Sequence, residues 1–149
     1  FAFQVLDTYM TQVHAGMDAW LRHTDRPPLT RVRDFFEITQ KSYREEGYVG
    51  CLIGGLGQKL SGVSDVFREK ISQYFSEIAS EMAIYLEEAQ QLGELPKDTN
   101  VQEMAERLVD CWEDAALLSR LQSNPASLNS ILDFYFLAVT GVRQRQDAS

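Results

Sequence analysis

Apolar residues return every three or four positions along most of this chain, which is the period of an amphipathic helix. From Phe3 to Arg22 the stripe is Leu6, Tyr9, Met10, Val13, Met17, Trp20 and Leu21, so the chain opens inside a helix already in progress. His23-Thr24-Asp25 ends that helix and Pro27-Pro28 starts the next segment, since proline fixes φ and removes a backbone donor. Val32, Phe35, Phe36 and Tyr43 mark a second helix from Leu29 to Glu46, closed by Gly47. Between Gly50 and Leu60 a helical face of Leu52, Ile53, Leu56 and Leu60 is interrupted by Gly54, Gly55 and Gly57. Each glycine costs up to about 1 kcal/mol in helix propensity relative to Ala, so this third helix either packs closely on a neighbour or is loose. Ser61-Gly62-Val63-Ser64 reads as a turn and cap. The longest helix then runs from Asp65 to Leu92, with Phe67, Ile71, Tyr74, Ile78, Met82, Tyr85, Leu86 and Ala89 in step.

The stretch from Asn100 to Val139 is more hydrophobic than one small domain needs for its own core. Its first helix carries Val101, Met104, Leu108, Val109, Trp112, Ala115, Ala116 and Leu121. Asn100 with Glu103 gives it a capping-box-like start. After Ser123, Asn124 reads as the cap of a second helix with Pro125 at its first position. From Ile131 to Val139 only Asp133 is strongly polar, and a helix apolar nearly all round is buried on two sides. The run is too short to span a bilayer, so a second copy of the chain is the expected cover. The residues assigned to that homodimer interface are Leu117, Leu121, Leu128, Ile131, Leu132, Tyr135, Phe136 and Val139. A central helix of a monomeric bundle is the competing reading.

With no convincing β segment, the expected architecture is an all-α antiparallel bundle of about six helices, one domain over residues 1–149. Residues 1–99 would form the pocket helices and residues 100–145 the dimerisation pair. A net charge of −8, with fourteen scattered Lys and Arg residues, excludes a basic nucleic-acid footprint within this chain. The densest basic cluster, Arg22, Arg26, Arg31 and Arg33, is interrupted by Asp25 and Asp34 and reads as a solvated face. Glu45, Glu46, Glu87 and Glu88 read the same way. Two isolated cysteines fit a reduced, cytoplasmic protein.

Three stretches carry a resemblance to a known family. Tyr48-Val49-Gly50-Cys51-Leu52-Ile53-Gly54-Gly55-Leu56-Gly57-Gln58-Lys59-Leu60 is one, and Leu92-Gly93-Glu94-Leu95-Pro96 is the second. The third is Trp112-Glu113-Asp114-Ala115 with Pro125-x-x-Leu128 after it, where Asp114 stands in place of the more usual Gly. Together they resemble the ligand-binding and dimerisation region of bacterial TetR/AcrR transcriptional repressors. The resemblance implies a homodimer, an effector of unknown identity in an enclosed pocket, and operator DNA read by a helix-turn-helix that precedes Phe1. It implies no enzyme, no cofactor and no membrane. A stand-alone helical dimerisation or adaptor module is the alternative.

The ligand-binding candidates are Phe36, Tyr43, Cys51, Tyr74, Ile78, Trp112 and Glu113. The aromatic members lie on inward stripes, which suits either a pocket wall with polar handles or an ordinary core. Cys51 follows Gly50 near an expected helix N-terminus, where the helix dipole favours a reactive thiolate; the other reading is a small buried hydrophobe. His14 and His23 have no ligand set around them, so no metal is expected. Gly57-Gln58-Lys59 lacks the order of a phosphate loop, and no Gly-x-Ser-x-Gly or His-Glu-x-x-His is present.

Overall fold

The computed structural model describes residues 2–22, 25–45 and 65–148, with side chains through residue 138. The expected helix between Gly50 and Leu60, Cys51 included, lies outside the described residues. Five helices account for nearly all of what is described: α1 (Ala2–Leu21), α2 (Pro28–Glu45), α3 (Asp65–Gln91), α4 (Val101–Gln122) and α5 (Ala126–Ala148). No strand occurs among the described residues. The fold is all-α, as the periodicity predicts.

The helix ends follow local chemistry. Asn100 Oδ1 accepts from Glu103 N at 3.1 Å and Asn124 Oδ1 from Ala126 N at 2.9 Å, so both cap assignments hold. Helix α3 ends in a Schellman motif: Glu94 N donates to Ala89 O and Gly93 N to Gln90 O, with Gly93 at φ 82°. Gln90 Nε2 then donates to the carbonyls of Pro96, Lys97 and Thr99, ordering the turn into α4. Helix α4 ends the same way, with Asn124 N on Ser119 O, Ser123 N on Arg120 O, and Ser123 in the left-handed region at φ 50°. That conformation, uncommon for a residue with a Cβ, lets α5 fold straight back along α4.

Helix α4 packs between α3 and α5, and α2 lies across α1, α3 and α5. Leu6, Met17, Leu21, Met82, Leu86, Leu108, Leu128 and Leu132 are essentially inaccessible to solvent in the shared core. Each such side chain contributes about 1.5–3 kcal/mol by leaving water.

Helices α1 and α3 run in the same direction and meet through polar contacts at a constant sequence offset. Asp7 pairs with Tyr74 and, at 3.0 Å, with Lys70. Seven residues on, His14 Nδ1 meets Glu81 at 2.6 Å, with Glu77 at 3.7 Å from Nε2. Seven further on, the Leu21 carbonyl is joined to Glu88 through Arg31, whose Nη1 donates to Leu21 O at 2.7 Å and whose Nη2 donates to Glu88 Oε1 at 2.8 Å.

Arg31 therefore corrects the reading of the basic cluster as a solvated face. Its side chain is 3% exposed, with Nε on the Arg26 carbonyl at 2.8 Å as well. Composition registers the charge but not the carbonyl groups that a helix end and a turn present to it. Glu88 is likewise an ion-pair partner and not simple helix surface. Arg26 does behave as a surface group, paired with Asp34.

Candidate functional site

A cavity of about 290 Å³ opens between four helices. Helix α1 supplies Tyr9, Gln12, Val13, Gly16 and Trp20; α2 supplies Phe35, Phe36, Ile38, Thr39, Ser42 and Tyr43; Ile78 comes from α3, and Val109, Trp112 and Glu113 from α4. The wall exists because α2 and α4 converge on an aromatic knot. The Phe36 and Trp112 rings are 4.7 Å apart and tilted, Tyr43 is 6.1 Å from Trp112, and the indole N–H of Trp112 donates to the Tyr43 hydroxyl at 3.4 Å. Such pairs fix ring orientation beyond what burial alone would do. All three rings are buried.

Of the sequence-derived ligand candidates, Phe36, Tyr43, Ile78, Trp112 and Glu113 line this one cavity. Tyr74 does not: it is buried and turned to the α1 contact, its hydroxyl on Asp7. Cys51 lies outside the described residues. The α1 wall was missed because a 3.6 period marks a face as apolar without telling which of its residues meet packed atoms and which meet space.

The residues assigned to an interface divide by burial. Leu128, Leu132 and Phe136 recur every fourth position and are buried inside this chain, which removes them from any surface that a second copy could touch. Ile131 and Tyr135 pack partly on the same core, with the Tyr135 hydroxyl 3.4 Å from the Met104 carbonyl. Burial pushes the Tyr135 phenol well above its ordinary pKa. Leu117 is half-buried, and the side chain of Val139 is outside those described. The apolar side chains that α4 and α5 leave open are Leu118, Leu121, Phe134 and Leu137, the last three 66–73% exposed. The phase of α5 is set from α2: Gln40 donates to Asn129 at 2.6 Å and Arg33 pairs with Asp133 at 2.6 Å, which turns the Leu128 stripe inward.

Among the described residues no group of three or more His, Cys, Asp or Glu could hold a metal ion, and no helix is long and apolar enough to cross a membrane.

Residues 28–134 match the model of the tetracyclin repressor-like C-terminal domain. The chain is 25% identical over 139 residues to the HTH-type transcriptional repressor DhaR of Mycobacterium sp. (strain GP1), a match that covers 93% of this chain and 69% of that protein. It is 29% identical over 131 residues to the transcriptional regulator AcuR of Cereibacter sphaeroides, covering 87% of this chain and 60% of that one. The chain thus spans only part of the length of either relative. A crystal structure of a regulatory protein TetR from Rhodobacter sphaeroides superposes with a TM-score of 0.84 at 28% identity, over 89% of this chain and 70% of the other.

Proposed function

The chain belongs to the tetracyclin repressor-like C-terminal domain family, and from that premise we propose that it is the effector-binding and dimerising part of a cytoplasmic TetR-type transcriptional repressor. The observation that carries the reading is the shared wall of the cavity: α1, the helix that would receive a DNA-reading unit at its N-terminal end, supplies one side of it. An effector held against Phe36, Tyr43, Trp112 and Glu113 therefore also touches Tyr9, Val13 and Trp20. A ligand shifts an equilibrium only by its differential affinity for the two states. A cavity walled by α1 changes shape whenever α1 moves, which supplies that differential affinity. Ligand binding is thus coupled to release of operator DNA by a helix-turn-helix joined through α1.

The second half of the reading is a homodimer. Leu118, Leu121, Phe134 and Leu137 form an apolar surface on α4 and α5, and a pair of antiparallel helices from each subunit closes into a four-helix bundle. Two copies joined there hold two DNA-reading units at a spacing set by the bundle.

The test takes a compound that raises the melting temperature of this chain and adds it to the protein carrying its upstream segment, bound to DNA from around its own gene. Release of the DNA, with dimer retained, is the expected result. A compound that occupies the cavity yet leaves DNA retention unchanged would overturn the coupling.

A further inference from the structure

Apolarity alone leaves the rotation of α5 open. Leu128, Leu132 and Phe136 point into the core. Turning the helix about its axis by one residue's step, about 100° at 3.6 residues per turn, would set Ile131 and Tyr135 where Leu132 and Phe136 stand. Both are apolar as well, so hydrophobic burial distinguishes the two orientations weakly. The same turn would carry Phe134 to the place of Tyr135, against the core, and take it off the outer face.

Two contacts from α2 remove that freedom. Gln40 Nε2 donates to Asn129 Oδ1 at 2.6 Å, and Arg33 Nη2 donates to Asp133 Oδ1 at 2.6 Å. Their reversed order makes the two helices antiparallel, and Arg33 also lies over the Phe136 ring, 5.5 Å from its centre. Gln40 is 7% exposed, so its amide is held away from water. In the turned orientation Leu128 and Leu132 would occupy the places of Asn129 and Asp133. Gln40 and Arg33 would then face leucine side chains in place of their partners on α5, and the buried amide would bear the cost of a lost hydrogen bond.

We infer that Gln40 and Arg33 are positioning residues for assembly: by indexing α5 to α2 they present Phe134 and Leu137 outward, although both lie on α2, outside the apolar surface of α4 and α5. The inference rests on the dimer half of the proposed function and goes beyond it by tying the interface to α2. That helix also supplies Phe36 and Tyr43 to the cavity wall, on either side of Gln40 in sequence. The apparent affinity of a binding-competent orientation falls in proportion to its population, and one hydrogen bond of ordinary net strength biases two states by roughly threefold to tenfold.

Sedimentation equilibrium of the chain measures the dimer dissociation constant, with circular dichroism checking that each variant is helical. Gln40→Leu, which replaces a buried amide by an apolar group of similar size, should keep its helical content and weaken the dimer roughly threefold to tenfold. Asp133→Arg, which opposes Arg33 with a like charge, should weaken it roughly tenfold. The exchange Arg33→Glu with Asp133→Arg restores an opposite-charge pair between α2 and α5 and should return the constant to within about twofold of wild type. Wild-type affinity in both Gln40→Leu and Asp133→Arg overturns the inference and leaves the dimer standing. A weakened Asp133→Arg that the exchange does not rescue, beside an unaffected Gln40→Leu, assigns Asp133 to the interface itself and also overturns the inference. If Gln40→Leu does not fold, rescue by the exchange decides alone. A wild-type chain that sediments as a monomer throughout sinks the dimer reading itself and takes this inference with it.

Discussion

The contact between α1 and α3 carries an indexed row of polar pairs beside its apolar packing, whereas the contact between α4 and α5 is mainly apolar. Along α1, Asp7, His14 and the Leu21 carbonyl each meet a defined partner on or through α3. Along α5, Leu128, Leu132 and Phe136 press into a common core with Leu108 and Trp112 nearby on α4. Hydrophobic burial is non-directional and scales with area, so it gives strength without specifying position. Hydrogen bonds and ion pairs add little net energy but specify which atom faces which. On the proposed coupling, α4 and α5 serve as the platform, and α1 with α3 as the joint whose state a few contacts define.

Substitution separates the two most sharply on the platform side. Leu132→Ala should cost about 2–5 kcal/mol of unfolding free energy in a denaturant titration, because the removed atoms leave a cavity that the surrounding helices fill only partly. Ligand affinity per folded molecule should stay close to wild type. On the joint side, Arg31→Met should cost less, about 1–3 kcal/mol, since it strands the carbonyls of Leu21 and Arg26 while Glu88 stays partly solvated. Unlike Leu132→Ala, it should also change the coupling between ligand binding and DNA release. Equal coupling in the two variants would erase the distinction between platform and joint.

Phe134→Glu probes the outer face of the platform. The folded chain should lose no more than about 0.5 kcal/mol, because the ring is exposed in a single copy. Sedimentation should nevertheless report a dimer weakened by roughly tenfold, as for an apolar anchor replaced by a charge. The smallest effect concerns Tyr135. Its folded-state pKa lies above the ordinary tyrosine value, so its contribution to stability is complete below pH 10 and declines as pH rises beyond it. Tyr135→Phe should remove that alkaline loss, a difference of under about 1 kcal/mol at pH 10.5, read from unfolding curves at neutral and alkaline pH.

Much of this arrangement was legible before any coordinates. The caps at Asn100 and Asn124 follow from residue chemistry alone, and the aromatic knot of Phe36, Tyr43 and Trp112 follows from inward stripes. Less legible was the rotation of α5. A helix apolar on most sides has no unique inward face, and the residues that choose one, Asn129 and Asp133, do so through Gln40 and Arg33 roughly a hundred positions away. Arg31 escaped for a related reason, because its backbone partners carry no signature in composition.

The seven-residue spacing of the α1 contacts has a mechanical consequence. At about 1.5 Å of rise per residue, successive contacts stand about 10.5 Å apart along the helix axis. Sliding α1 by one turn toward the start of α3 passes His14 from Glu81 to Glu77 and keeps Asp7 beside Lys70, while the Tyr74 contact and the Arg31 bridge from Leu21 to Glu88 are lost. Tilting about the buried Arg31 end, by contrast, stretches the Asp7 contacts most and the Leu21 contact least. On the proposed coupling, a pivot of that kind produces its largest displacement at the N-terminal end of α1.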